Sequence, residues 1–543
     1  MHIVRIGPQT TEHPSAEVIG AKAANLARMA ALGLAVPPAF VLPVRLCAEI
    51  IGNKPHAEQH LRDGLKEGIA FLEEVTGKRF GDHRRPLLVS VRSGAARSMP
   101  GMLDTVLNVG CTSLAVQGLI RATGRPRLAW DCRRRFLESF GETVLGHDPA
   151  LLAARVAELT AGEAVARDRE LDSEALERLA ADEQALLEGG DDGWLEDAHR
   201  QLEAAARAVY RSWMSERAQT YRRLQRLDQL KGTAVTVQAM VFGNGGLASG
   251  AGVAFSRDPS SGAPHPVIDL VLDAQGEDVV SGRRTPDTED TIARALPTLA
   301  EELRGVLQRL EREFLDMQDV EFTVEDGKLW MLQTRAGKRT PRAALNIAID
   351  LVHEELIDKK QALARIADLD LGSLVEVSLA TEQPPVLTGI AASGGIAVGR
   401  AAFDTPSAER LAATGDPVIL MRPDTSTADV AGFAVAAGIV TAVGARTAHA
   451  ALVARQLGRP CIVGCDDLAI DVTADRASLA GQPIAAGDWI TIDGDTGRLF
   501  LGRLATVVTR PEAELAEIAS WRAHGNDRGN GNAQTAVREV VQR

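Results

Sequence analysis

Gly438-Ile-Val-Thr-Ala-Val-Gly444-Ala-Arg446-Thr447-Ala-His449-Ala-Ala-Leu-Val-Ala-Arg455-Gln-Leu-Gly458-Arg-Pro460-Cys-Ile-Val-Gly464 is the stretch that decides the architecture. Its apolar opening reads as a buried strand, Gly444 as a tight turn, the residues from Thr447 as a short helix, and Cys461 to Val463 as a second strand. Thr447 is the expected N-cap of that helix, and Gly458 followed by Pro460 is its expected stop, so His449 falls in the first turn. Free backbone N–H groups and the positive end of the helix dipole then face whatever the ring carries, which is a setting for a phosphoryl group. A neutral imidazole is also a competent nucleophile near neutral pH, and Arg446 adds a cation beside it. A histidine that merely caps or packs against the helix fits the same local pattern.

Working upstream, small residues set in at Gly389-Ile-Ala-Ala-Ser393-Gly394-Gly395-Ile-Ala-Val-Gly399 after the Pro384-Pro385 pair. From there to Gly502, apolar strands alternate with alanine-rich helices. Before it, Gln318-Asp319-Val-Glu321-Phe-Thr-Val324 alternates polar and apolar residues, so Asp319 and Glu321 share one strand face. Gly327-Lys328 is the expected turn, and Leu329 to Arg335 returns with Gln333 and Arg335 on a common face. If the strands pair, two carboxylates, an amide oxygen and a guanidinium converge, and hard oxygen donors of this kind suit Mg²⁺. A solvent-facing hairpin shows the same alternation.

Further toward the start, Thr233 to Gly243 has strand texture and leads into a glycine-rich turn at Gly245-Gly246. Asp148 to Arg226 is rich in Ala, Leu, Glu and Arg at helical spacing. Leu87 to Gly94 reads as a strand entering a polar turn, and the stretch from Gly20 to Gly33 as an alanine-rich helix stopped by glycine. Arg92 at a strand end beside small residues is built to hold a polyphosphate, although a strand and surface turn explain the same letters.

These motifs together resemble the pyruvate, phosphate dikinase family. Residues 444–455 are similar to its phosphohistidine motif, Gly-Gly-Met-Thr-Ser-His-Ala-Ala-Val-Val-Ala-Arg. They keep Gly444, Thr447, His449, Ala450, Ala451, Val453, Ala454 and Arg455 and depart at Ala445, Arg446, Ala448 and Leu452. Gly20-Ala-Lys22-Ala-Ala-Asn25-Leu resembles the family's opening, and Ser90-Val-Arg92-Ser-Gly94 and Met99-Pro-Gly101-Met-Leu-Asp-Thr105 follow its pattern nearly letter for letter. Trp130-Asp-Cys-Arg-Arg-Arg135-Phe is similar to Tyr-Asp-Ser-Tyr-Arg-Arg-Phe, and Asp269 stands where the family has a glutamate.

The resemblance implies an α+β and α/β multidomain fold. ATP-grasp nucleotide-binding lobes cover 1-340 with a helical insertion at about 148-226, a helical linker covers 341-388, a swivelling β/α phosphohistidine domain covers 389-505, and 506-543 form a tail. It implies His449 as the phosphoryl carrier and Arg135 as the holder of inorganic phosphate. Lys22, Arg92, Gly101, Gln238, the backbone at Met240 and Val241, Asp269 and Arg335 are the implied nucleotide contacts. Asp319, Glu321 and Gln333 are the implied Mg²⁺ ligands, with ATP the substrate. The likeness runs over about residues 15 to 510, short of the family's C-terminal (β/α)₈ barrel for pyruvate or phosphoenolpyruvate. The expected acceptor is therefore pyruvate, phosphoenolpyruvate or another molecule served by a separate barrel-bearing chain, with a homodimer as a further expectation. Two alternatives stay open: a synthase-like kinase in which water replaces phosphate, and a non-catalytic nucleotide-responsive phosphocarrier or regulatory module.

Composition bounds these readings. The chain has 543 residues and is 45% hydrophobic, ample for several packed cores. With 73 acidic and 60 basic side chains, its net charge of -13 argues against a nucleic-acid or anionic-membrane surface. The expectation is a cytoplasmic protein without a membrane span or secretory leader. Five scattered cysteines, Cys47, Cys111, Cys132, Cys461 and Cys465, predict buried structural thiols rather than disulfides.

Overall fold

A computed structural model describes residues 2–523 apart from 9, 11–12, 98, 100–101, 166–167, 189–192, 281–291, 293–295, 425–428, 447 and 472–473. The chain forms two compact units, Met1–Ser249 with Thr323–Thr334, and Gly250–Phe322 with Arg335–Arg543. The five cysteines are free and buried. No helix among the described residues is long and apolar enough to cross a membrane.

The first unit is built on an antiparallel sheet in the order Val4–Ile6, Ala39–Leu42, Thr233–Ala239, Val89–Ala95, Thr105–Val109. Thr233–Ala239 and Ala39–Leu42 are buried at every residue, so they read as β-branched and apolar runs rather than as a clean alternation. Helices Ala57–Thr76, Pro126–Phe140 and Ala198–Ser212 supply Leu61, Leu65, Ile69, Phe136, Phe140, Leu202 and Val209 to the core around Phe40, Val91 and Val237. A fully buried side chain of this size contributes roughly 1.5–3 kcal/mol relative to an exposed one. The Ala/Leu/Glu/Arg-rich run contains helices Pro149–Gly162, Ser173–Glu188, Ala198–Ser212 and Glu216–Leu224. Their starts are set by Asp148, Asp172, Asp197 and Ser215, each accepting a backbone N–H of the first turn.

One buried acid inside this helical region gives a pH signature. Glu183 is fully buried and neither carboxylate oxygen has a hydrogen-bond partner among the described residues. Burial first, then the nearby Glu138, pushes its carboxyl far above the usual carboxylate range. The folded state then holds a proton that the unfolded chain releases, so this group's stabilisation is full below the unfolded glutamate range and is lost as pH rises toward the raised value. Between those limits the loss is about 1.4 kcal/mol per pH unit. Glu183→Gln, which keeps the shape without the charge, is expected to gain stability over the natural chain from pH 5.5 to pH 8, read as urea midpoints. An unchanged difference across that range contradicts a protonated Glu183.

The second unit contains the antiparallel pair Gly250–Phe255 and Val267–Leu272. The turn between the strands Gln318–Glu325 and Lys328–Ala336 is Asp326-Gly327, one residue earlier than Gly327-Lys328. Both residues take positive φ, 49° and 79°, which Asp-Gly accommodates and a lysine does not.

A second, eight-stranded sheet follows. Its centre is parallel, Ile396–Ala402, Val418–Arg422, Gly438–Thr441 and Cys461–Val463, and Ile390–Ser393 adds antiparallel beyond Cys461–Val463. Helices Thr405–Ala413, Val430–Val435 and His449–Leu457 make the crossovers between the parallel strands. The two-residue period sorts the side chains: Ile419, Met421, Val440 and Ile462 fill one core, while Val418, Leu420, Ile439 and Cys461 fill another with Ala450, Ala451 and Ala454 of the last crossover helix.

Candidate functional site

In the first unit, Lys22, Arg92, Gln238 and Gln333 line one cleft with Ser93 and Thr236. The approach of the Lys22 helix depends on Gly20, which takes φ 79° where a Cβ would lie 2.0 Å from the Gly94 carbonyl oxygen. No other residue fits, so the Gly20–Gly94 contact brings the helix against the strand bearing Arg92. Arg92 pairs in register with Thr236 on one side and Thr105 on the other, which fixes the root of its side chain. Gln238 is 3% exposed and donates from Nε2 to the Pro37 carbonyl at 3.2 Å. Met240 and Val241 follow the central strand half-buried. The Met240 N–H is spent on the Leu88 carbonyl at 2.9 Å, so a contact from Met240 to a base uses its carbonyl. Gly101 lies outside the described residues.

Arg135 sits on the helix Pro126–Phe140 and donates from Nε to Asp131 Oδ2 at 2.9 Å. Asp131 also accepts from Arg134 Nη2 at 3.0 Å and from Asn244 Nδ2 at 2.8 Å. Burial works against this carboxylate, but Arg135 and Arg134 outweigh it and hold Asp131 well below the usual carboxylate range. The ionised Asp131 therefore fixes the Arg135 guanidinium and ties its helix to the glycine-rich turn at Asn244.

In the second unit, Asp319 and Glu321 share a strand face as the alternation predicts, and Arg335 donates from Nε to Asp319 Oδ2 at 2.8 Å. Asp319 is 1% exposed, and its Oδ1 has no hydrogen-bond partner among the described residues. Burial raises its carboxyl above the usual range even though Arg335 pulls the other way, and Glu321 adds to the rise. Burial likewise opposes the Arg335 guanidinium, but Asp319 and Glu321 prevail and raise it above the ordinary arginine value. A buried carboxylate oxygen with no partner, beside a second carboxylate, is the donor set of a hard divalent cation, so these residues fit Mg²⁺. Gln333 falls in the first unit, in the cleft with Lys22.

His449 is the first residue of the helix His449–Leu457, on the crossover between the parallel strands Gly438–Thr441 and Cys461–Val463. Only its backbone is described. The N-cap position belongs to Ala448, which offers no side-chain bond, and Thr447 lies outside the described residues. Gly458 closes the helix at φ 63°, as its place before Pro460 predicts.

Two arginines of this segment face the strand Val267–Leu272 and its neighbours. Arg446 is ion-paired to Asp269 through Nη1, while its backbone N–H donates to Asp269 Oδ2 at 3.4 Å and its Nε to the Ala391 carbonyl at 3.1 Å. Asp269, expected as a nucleotide contact, is thus engaged by the residue three before His449. Arg455 is 1% exposed, donates from Nε to the Ala392 carbonyl at 2.8 Å and lies 5.1 Å from the Phe255 ring centroid. Its Nη1 and Nη2 have no hydrogen-bond partner among the described residues. Burial lowers its guanidinium to about 10, with Asp319 the strongest opposing influence.

Sequence reasoning gave no role to Asp131, Asn244 or Arg455. Asp131 was findable, since it precedes Arg134 and Arg135 at the three- and four-residue spacing of helical ion pairs. Asn244 meets Asp131 only across 113 residues of chain and had no local signal.

Residues 53–298 and 289–356 match the family model described as pyruvate phosphate dikinase, AMP/ATP-binding domain, and residues 414–497 match the PEP-utilising enzyme, mobile domain. The class is therefore a mixed α/β multidomain protein with a nucleotide-binding front and a PEP-utiliser domain behind it. The chain is 40% identical over 509 residues to the chloroplastic pyruvate, phosphate dikinase of Flaveria pringlei, covering 93% of this chain and 53% of that protein. It is 39% identical over 510 residues to pyruvate, phosphate dikinase of Clostridium symbiosum, covering 93% and 58%. The chloroplastic pyruvate, phosphate dikinase 1 of Arabidopsis thaliana is 40% identical over 511 residues, covering 93% and 53%. The chain belongs to the pyruvate, phosphate dikinase family, and it spans about half the length of these relatives.

Proposed function

We propose that this chain performs the nucleotide half-reaction of a dikinase. The His449 imidazole displaces AMP at the β-phosphorus of ATP, and inorganic phosphate takes the γ-phosphoryl group as pyrophosphate. The observation that carries the reading is the position of His449 at the start of a crossover helix, where unpaired N–H groups and the helix dipole stabilise a phosphorylated ring. Lys22, Arg92 and Arg335 neutralise phosphate charge, and the central strand at Gln238, Met240 and Val241 holds the rest of the nucleotide together with Gly101. Arg135, locked by Asp131, holds the attacking phosphate. Asp319 and Glu321 would hold Mg²⁺, which would supply charge neutralisation on the phosphate oxygens. Positioning and electrostatics of this kind are most of what phosphoryl transfer demands.

The reading divides the chain into ATP-grasp lobes over 1-340 with a helical insertion at about 148-226, a linker at 341-388, a swivelling phosphohistidine domain at 389-505 and a tail from 506. Hinges in the linker and after 502 let the histidine move between stations. The phosphoryl group then passes to pyruvate or another acceptor, in an assembly that includes a homodimer.

The fate of the γ-phosphoryl group, followed with and without added inorganic phosphate, tests this. Pyrophosphate that forms only when phosphate is added, with the requirement raised by Arg135→Ala, supports the dikinase reading. Orthophosphate released from the γ-position at the same rate without added phosphate overturns it in favour of a water-consuming kinase, and no AMP release under any condition leaves a nucleotide-responsive carrier.

A further inference from the structure

The connection between helices Val44–Ile51 and Ala57–Thr76 gathers three metal-ligating side chains in the first unit, all outside the residues assigned above. His56 is the N-cap residue of the second helix and His60 lies four residues on, so both rings project from one face, with centroids 4.9 Å apart. Glu49 reaches them from the first helix, its Oε2 3.2 Å from His60 Nδ1. One donor atom from each of the three lies within 4.8 Å of the other two.

We propose that Glu49, His56 and His60 form a binding site for a divalent transition-metal ion of the Zn²⁺ class. Donors bonded to a tetrahedral Zn²⁺ stand roughly 3.4 Å apart, given Zn–N and Zn–O bonds of about 2.0–2.1 Å. The Glu49–His60 pair already has that separation, and rotation of the His56 ring supplies the third ligand. Binding through His60 Nδ1 replaces its hydrogen bond to Glu49 with a bond from each to the ion, and the neutral ring then carries its proton on Nε2. Two imidazoles with one carboxylate select Zn²⁺, Co²⁺ or Ni²⁺ over Mg²⁺, which prefers oxygen donors. The site therefore discriminates against the cation that suits Asp319 and Glu321. His56 is exposed and the other two are half-buried, which gives an ion direct access and leaves water a coordination position. Occupied, the site pins the two helices across the Gly52–Pro55 turn. The competing reading is a plain Glu49–His60 hydrogen bond with His56 resting on it.

The test is calorimetric titration of the untagged, metal-stripped full chain with Zn²⁺ in the presence of millimolar Mg²⁺, with Co²⁺ as an absorption probe of coordination. The expected result is one Zn²⁺ equivalent whose affinity falls at least about tenfold in His56→Ala and in His60→Ala, with a smaller fall in Glu49→Gln. The visible bands of four-coordinate Co²⁺ appear in the natural chain and vanish in the histidine variants. Zinc-free melting curves of the variants, expected to match the natural chain, show that the losses are local. Absence of Zn²⁺ binding, or histidine variants that bind Zn²⁺ as tightly as the natural chain, overturns the site. Because His449→Ala leaves these ligands untouched, Zn²⁺ binding stands or falls independently of the phosphoryl-transfer reading.

Discussion

His449→Ala is expected to abolish acid-labile phosphorylation of the protein and to lower AMP formation on the order of 10⁴-fold or more, since it deletes the nucleophile rather than a supporting contact. Alanine is the best helix former, so the first turn of His449–Leu457 survives the change. Nucleotide affinity is expected to stay within about twofold of the natural chain, because Lys22, Arg92 and Gln238 line their cleft without help from this helix. Rapid-quench assays with labelled ATP, paired with equilibrium binding of a non-hydrolysable analogue, separate the two effects. Persistent protein labelling in the alanine variant would place the acceptor on another residue.

The second large effect belongs to Asp319→Asn. Asparagine keeps an oxygen for Arg335 but removes one anion from the cation set, so turnover is expected to drop about 10²–10³-fold, with a higher Mg²⁺ requirement. Stability should move little, for a reason visible in the carboxyl itself. Its value is raised above the ordinary aspartate range, which means that burial outweighs the pull of Arg335. The charged form is therefore a net burden on the fold, and a neutral side chain of the same shape relieves it. The sign also fixes the pH behaviour: acid protonates Asp319 earlier than an exposed aspartate, so cation affinity weakens at higher pH than a surface carboxylate would allow. Urea midpoints within about 1 kcal/mol of the natural chain, alongside collapsed turnover, are the expected pair of results. A variant that turns over normally at ordinary Mg²⁺ contradicts the role of Asp319.

What the sequence revealed and what it hid divide along chain distance. The strand, helix and strand around His449 were legible because every signal is local: an apolar run, Gly444, then Gly458 and Pro460. The hairpin bearing Asp319 and Arg335 was legible for the same reason, with only its turn displaced by one residue because Asp326 tolerates positive φ. The cap was misjudged because Thr447 has the better capping side chain, yet Ala448 holds the position. The Arg446–Asp269 pair joins residues 177 apart and could not be seen in the sequence. The two ends of that pair are nonetheless both departures from the family pattern, Arg446 for methionine and Asp269 for glutamate. Seen as a contact, they account for each other: the shorter acid meets an added cation. The place of Ile390–Ser393 beyond Cys461–Val463 was equally hidden, since sheet order beyond adjacent strands carries no local pattern.

The most direct test of the central claim follows which phosphoryl group of ATP reaches the protein. With the β-phosphate labelled, acid-labile radioactivity is expected on the chain at His449, while γ-labelled ATP in the presence of inorganic phosphate should deliver its label to pyrophosphate. Label retained from the γ-position alone, or a β-label that remains in the nucleotide throughout, contradicts transfer of the β-phosphoryl group to His449.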